Sequence, residues 1–155
     1  MSLDSKINQA KDRIRQAIDE CGPNRIYSAY SGGKDSQAVL RLARCVLPNV
    51  IVIHNGHAGE DIGDVEGVLC VKEPKAQLVP IFLQTVDLVG QLDGTRRDED
   101  KTVIFDGEEI HRSKMPDWKT YDGVFGLRMY YPLFDWTEEE VFAYLETPDE
   151  NLVRG

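Results

Sequence analysis

The residues best suited to chemistry in this 155-residue chain are six consecutive ones, Ser31-Gly32-Gly33-Lys34-Asp35-Ser36. Two glycines let a backbone approach a ligand closely and adopt positive φ without steric cost. Lys34 brings a point charge, and Ser31 and Ser36 bring hydroxyl donors. Such a set holds an anion best where a strand hands over to a helix, because the first-turn N–H groups and the positive end of the helix dipole then face it. Asp35 is better suited to capping the helix or ordering the loop than to touching phosphate. The Walker A spacing is absent. An ordinary turn also uses Ser, Gly and Asp, so the case for phosphate rests on the lysine, the two hydroxyls and the flanking elements.

Those elements are legible. Ile7, Ala10, Ile14, Ala17 and Ile18 recur at three- and four-residue spacing, which predicts an N-terminal helix over 1–22, capped by Asp4 or Ser5 and ended by Cys21-Gly22-Pro23. A strand over 25–30 leads into the loop. Ala38, Val39, Leu42, Ala43 and Val46 then mark a helix that Pro48 ends, and the apolar run 50–54 reads as a buried parallel strand. Strand, glycine loop, helix and strand make a βαβ unit, whose ligands lie beyond the carboxyl ends of its strands. Tyr30, His54, Asn55 and His57 fall at that edge and are candidates for base or ribose, although a histidine at a strand end is more often a structural hydrogen-bonding group.

Further along, helices are expected over 61–69 and 74–86, a strand over 87–92, and a hairpin joining 103–105 to 109–111 through Asp106-Gly107. Residues 127–132 read as extended. Thr137 and Glu140 have capping-box spacing at the head of a helix that runs through Leu145. The pattern predicts a single α/β domain with a core over 25–145: one doubly wound, mostly parallel sheet with helices on both faces.

Composition narrows the function. The formal charge is −9, which argues against non-specific nucleic-acid binding and makes any local cluster of Lys or Arg informative. No apolar run nears the roughly 20 residues of a membrane span, and the first 20 residues are charged throughout, so a cytoplasmic protein is expected. Cys21, Cys45 and Cys70 form no Cys-x-x-Cys pair and suggest neither zinc, disulfide nor metal site; Cys45 reads as a small core residue.

Ser-Gly-Gly-Lys-Asp-Ser resembles the signature of the PP-loop ATP pyrophosphatases, or adenine nucleotide α-hydrolases. Three further stretches resemble the phosphoadenosine-phosphosulfate (PAPS) reductase branch: Cys70-Val71-Lys72-Glu73-Pro74, Gly94-Thr95-Arg96-Arg97-Asp98, and Pro132-Leu133-Phe134-Asp135-Trp136-Thr137 with Val141 and Tyr144. The resemblance implies ATP or a PAPS-like adenine nucleotide as ligand, with Mg2+ accompanying ATP. It implies that Gly94, Arg96 and Arg97 lie at the phosphate or sulfate end, with Lys34 and Arg96 the candidates for a catalytic role. Two adjacent guanidiniums suit bidentate anion binding, whereas the plainer reading is a solvated pair balanced by Asp98, Glu99 and Asp100. Arg128 reads as structural.

The resemblance is incomplete. The Glu-Cys-Gly-Leu-His tail that supplies the reductase thiol is not found, nor are cysteine pairs for an iron–sulfur cluster. Three functions stay open: a PAPS reductase-like enzyme, an ATP-dependent nucleotidyl- or sulfurtransferase similar at 94–98 to FMN adenylyltransferases, and a nucleotide-binding module without turnover. The partners expected are a small nucleotide and an unidentified second substrate, with no nucleic acid and no membrane. A homo-oligomer stays open.

Overall fold

The computed structural model describes residues 1–55, 68–71, 87–122 and 126–153. The expected helix over 74–86, most of that over 61–69, and His57 lie outside the described residues.

Helix α1 (Leu3–Cys21) is amphipathic as expected, burying Ala10, Ile14, Ala17 and Cys21. Its cap is Ser2, whose hydroxyl accepts from Ser5 N at 3.2 Å, not Asp4 or Ser5. Strand β1 (Ile26–Ala29) leads through the glycine loop to α2 (Lys34–Val46), which buries Ala38, Val39, Leu42 and Ala43 completely. Strand β2 (Ile51–Asn55) lies parallel to β1, with Tyr27 opposite Ile51 and Ala29 opposite Ile53.

Next comes β3 (Val68–Val71), paired in parallel with β2 from Val52↔Val68 to Asn55↔Val71. Residues 68–69 were expected to end a helix. Four apolar residues are too few for periodicity to separate strand from helix, and pairing with β2 decides. Strand β4 (Gly90–Leu92) is shorter than the expected 87–92, since Asp87 takes φ 56 and turns the chain. The hairpin β5 (Thr102–Phe105) and β6 (Glu108–His111) forms as expected; Asp106 and Gly107, at φ 50 and 84, supply the two positive φ angles of its tight turn.

Strand β7 (Lys119–Asp122) was not foreseen. It is an antiparallel edge strand on β8 (Leu127–Tyr130), and its polar sequence carries no buried-strand signal. The hairpin tip meets it, with Thr120 Oγ1 donating to Asp106 Oδ1 at 2.6 Å and accepting from Asp106 N. A single 3-10 turn (Arg112–Lys114) joins β6 to the segment before β7, and helix α3 (Glu138–Glu146) and the short α4 (Glu150–Val153) complete the described elements.

Among the described residues the sheet has six strands in the order β3-β2-β1-β4-β8-β7, all parallel except β7. Its main core joins α1, α2 and α3 to one face through Ile14, Ile26, Leu42, Val52, Leu92 and Trp136. Full burial of side chains of this size contributes about 1.5–3 kcal/mol each. On the other face Tyr27, Ile53, Leu88 and Leu127 form a second cluster.

Strand order also places the site. From β1 the chain crosses through α2 to β2 on one side, while from β4 it proceeds to β8 on the other. Crossover direction therefore reverses between the neighbouring strands β1 and β4, where Ser28 stands opposite Leu92. Doubly wound sheets open a ligand crevice beyond the strand ends at such a point.

Candidate phosphate site at the start of α2

Loop 31–36 leaves the carboxyl end of β1 at this reversal. Gly32 takes φ 87, the left-handed region that glycine enters freely. Gly33 does not share it: at φ −74 and ψ 166 it is the extended N-cap of α2. Having no side chain, Gly33 leaves the helix start without a side-chain cap. Ser36 ties the loop together instead, its hydroxyl accepting from Ser31 N at 3.1 Å and donating to Gly33 O at 3.0 Å. Ser31 Oγ lies 3.2 Å from Ser36 Oγ and accepts from Gly33 N at 3.3 Å. Gln37 donates to Gly32 O at 2.7 Å. The serines thus shape the loop, while the first-turn N–H groups receive no side-chain cap.

Lys34 lies beside this turn, its side chain 26% exposed, with Nζ 3.4 Å from Asp35 Oδ2 and 3.5 Å from Glu138 Oε1. Its ammonium is 5.8 Å from the ring centre of Phe142, a half-exposed aromatic on α3. These long, partly exposed contacts hold the charge next to the loop only weakly.

Loop 93–97, after β4, rests directly on the first turn of α2. A Cβ built on Gly94 would meet Asp35 Cβ at 2.9 Å and Asp35 C at 3.0 Å, so only glycine fits without movement. Asp93 organises this loop, accepting from Thr95 N at 2.8 Å and from Gln91 Nε2 at 3.0 Å.

Arg96 was expected at the ligand's anionic end; its side chain is 2% exposed and held by protein carboxylates. Nε donates to Asp35 Oδ1 at 2.8 Å, and NH1 donates to Asp98 Oδ1. Burial alone would lower its pKa, but Asp35 above all, with Asp98 and Glu99, holds it above the ordinary arginine value. Arg97 is exposed and turned elsewhere, donating to Ser113 O at 2.9 Å and lying 5.1 Å from the Phe134 ring centre.

The base-edge candidates are placed differently from one another. Tyr30 is buried in the main core. His54 is buried too, its Nδ1 2.7 Å from Tyr30 O, a tie between the ends of β1 and β2. Asn55 ends β2. Arg128, read as structural, donates to Glu20 O at the end of α1. Cys45, expected in the core, is half-buried and its thiol donates to Glu150 Oε2 at 2.8 Å.

Two residues at the site were not singled out from sequence, Glu138 and Phe142, whereas Asp98 was named as a carboxylate balancing the arginine pair and does pair with Arg96. What the sequence does not show is the second bond of Asp98, which accepts from Glu138 N at 3.0 Å, 40 residues away. Among the described residues no group of three or more His, Cys, Asp or Glu could hold a metal ion. No helix among them is long and apolar enough to cross a membrane.

No protein-family model matches this chain, and no curated protein does. Solved structures do match. One is the crystal structure of Candida glabrata FMN adenylyltransferase, with a TM-score of 0.67 at 19% identity. The match covers 98% of this chain and 58% of that one. The α/β architecture with its mostly parallel sheet is therefore a fold this chain shares with that transferase.

Proposed function

We propose that this chain binds an adenine nucleotide with its phosphates at the start of α2, and that with ATP it transfers the adenylyl group to an acceptor. One observation carries the proposal: α2 begins without a side-chain cap at the point where the sheet reverses crossover direction. An anion there receives the unsatisfied N–H groups of the first turn and the positive end of the helix dipole. Lys34 adds charge from the side and is held only loosely.

In adenylyl transfer an acceptor oxygen attacks the α-phosphorus. The bond from that phosphorus to the α,β-bridging oxygen breaks, and pyrophosphate leaves with the electron pair. The loop N–H groups and Lys34 stabilise the charge that grows on the leaving pyrophosphate. Mg2+ accompanying ATP would be held largely by the nucleotide's own oxygens. This reading is supported by the fold shared with an enzyme named for adenylyl transfer to FMN, and by the resemblance at 94–98. Kinship with the PAPS reductase branch is favoured by the order of its motifs. Sulfonucleotide reduction needs a thiol at the phosphosulfate; Cys21 contacts Tyr130 at the far end of α1 and Cys45 contacts Glu150, which leaves Cys70, opposite His54 in the β2–β3 ladder, as the one cysteine that could serve.

Calorimetric titration with ATP, PAPS and adenosine tests the site. Lys34→Ala should weaken ATP and PAPS by about ten- to a hundredfold, the loss of one charge-assisted hydrogen bond, and leave adenosine nearly unchanged. Incubation with Mg-ATP and FMN, with AMP, pyrophosphate and adenylylated flavin measured, tests the reaction. Wild-type protein that binds none of the phosphorylated ligands would end the nucleotide reading. Binding without pyrophosphate release would leave a module without turnover.

A further inference from the structure

We infer that Arg96 is a positioning residue, an internal strut that holds the phosphate loop against the start of α3, and not a ligand of the nucleotide. The inference rests on the nucleotide reading only for the purpose of the loop; the strut itself is a matter of packing and charge.

Three observations converge on it. The Arg96 side chain is almost wholly buried, and its two described bonds run to carboxylates on opposite sides. Asp35 sits in the first turn of α2, and Asp98 passes the connection on by accepting from Glu138 N, the first residue of α3. Gly94, two residues before Arg96, packs so closely on Asp35 that no side chain fits between them. Loop 93–97 is therefore clamped onto α2 by contact at one point and by charge at the other.

The arrangement answers an electrostatic problem. Helices α2 and α3 run side by side in the same sense: Lys34 near the start of α2 reaches Glu138 at the start of α3, and Arg41 reaches the carbonyls of Tyr144 and Pro148 at its end. Two helix starts, each carrying about half a positive charge, thus lie next to each other. Asp35, Arg96 and Asp98 together carry one net negative charge, which adds to Glu138, Glu139 and Glu140 of α3 in offsetting that pair. The guanidinium is what allows two carboxylates to share so small a space, since without it they would repel each other and any arriving phosphate. Asp35 itself lies in the anion loop, and Arg96 neutralises it there.

The test is a double-mutant cycle on the ligand-free chain and in the presence of ATP, using Arg96→Gln, Asp35→Asn and the pair. As a strut, Arg96→Gln should lower the thermal midpoint without ligand by about 5 °C, the cost of leaving the part-buried Asp35 and the more exposed Asp98 without their shared guanidinium. Asp35→Asn in the same chain should restore at least half of that loss. ATP affinity should fall about tenfold or more in Arg96→Gln and return in the double variant to within about threefold of Asp35→Asn alone. If Arg96→Gln does not fold, Arg96→Lys replaces it in the cycle: one ammonium cannot span both carboxylates, so the midpoint should still fall and Asp35→Asn should still relieve it. An unchanged ligand-free midpoint, or an ATP loss of equal size with and without Asp35→Asn, would overturn the strut and return Arg96 to the ligand. Failure of wild-type protein to bind ATP would sink the nucleotide reading alone, since the ligand-free half of the cycle still judges Arg96.

Discussion

Helices α2 and α3 start side by side, and they are finished in opposite ways. At α3 every device is internal: Thr137 Oγ1 accepts from Glu140 N at 3.2 Å, Glu140 Oε1 accepts from Thr137 N at 2.8 Å, and Asp98 takes Glu138 N. Three glutamates fill its first turn, where carboxylates suit the dipole. At α2 the N-cap is a glycine with no side chain to offer, and the first turn carries a lysine whose ion pairs among the described residues are long, 3.4 and 3.5 Å. One helix start is closed by the chain's own oxygens, and its neighbour has no side-chain cap, as the proposed phosphate site requires. A candidate site thus shows itself as stabilisation that a nearby, equivalent element has and this one lacks.

The sharpest way to break this contrast is to close α2 as α3 is closed. Gly33→Asp places a capping carboxylate where the phosphate is expected, and the backbone at φ −74 accepts a side chain. The Cβ would lie 3.4 Å from Ser31 Oγ, a tight contact that a small rotation relieves. Nucleotide affinity should drop by about a hundredfold, through occupation of the N–H groups and through repulsion, while the thermal midpoint holds or rises slightly. Unchanged ATP binding in a titration of this variant would show that the phosphates sit elsewhere.

The reverse change opens α3. Thr137→Ala removes half of its capping box and should cost about 1 kcal/mol in urea or thermal unfolding, with ATP affinity altered less than about twofold. A large affinity loss here would mean that the start of α3, too, belongs to the ligand.

The smallest effect expected is with acid. Burial raises the pKa of Glu140, but its bonds with Lys6 and Thr137 outweigh this and hold it below the ordinary glutamate value. Burial likewise raises Asp135, and Arg13 more than reverses it. Groups with depressed folded pKa values contribute stability above the unfolded value, which is lost as pH falls through the folded one. Unfolding measurements should therefore show stability declining from about pH 4.5 downward, less steeply in Glu140→Gln. A slope unaffected by Glu140→Gln would place the acid sensitivity outside the α3 start.

What could be read along the chain was whatever depends on neighbours in sequence. The amphipathic period of α1 and α2, the Thr137–Glu140 box and the Asp106-Gly107 turn each rest on bonds or packing spanning a few residues. The position of the loop between β1 and α2 followed for the same reason. Its glycines were read as equivalent, but Gly32 alone takes the positive φ, while Gly33 serves by having no side chain.

Pairings across the fold were not legible. Val68–Val71 became a strand because β2 offered it a ladder, and Lys119–Asp122 because β8 did. Tyr30 went into the core instead of facing the crevice. Arg96 illustrates the difference best. The sequence by itself determined that two arginines follow Gly94-Thr95 in an acidic chain, which is enough to suggest an anion. The sequence also offered Asp98, two positions on, as a balancing carboxylate; only the tertiary structure added Asp35, which lies 61 residues away and arrives through the pairing of β1 with β4. A guanidinium binds whichever carboxylate or phosphate the fold brings within reach, and that reach is set by strand order.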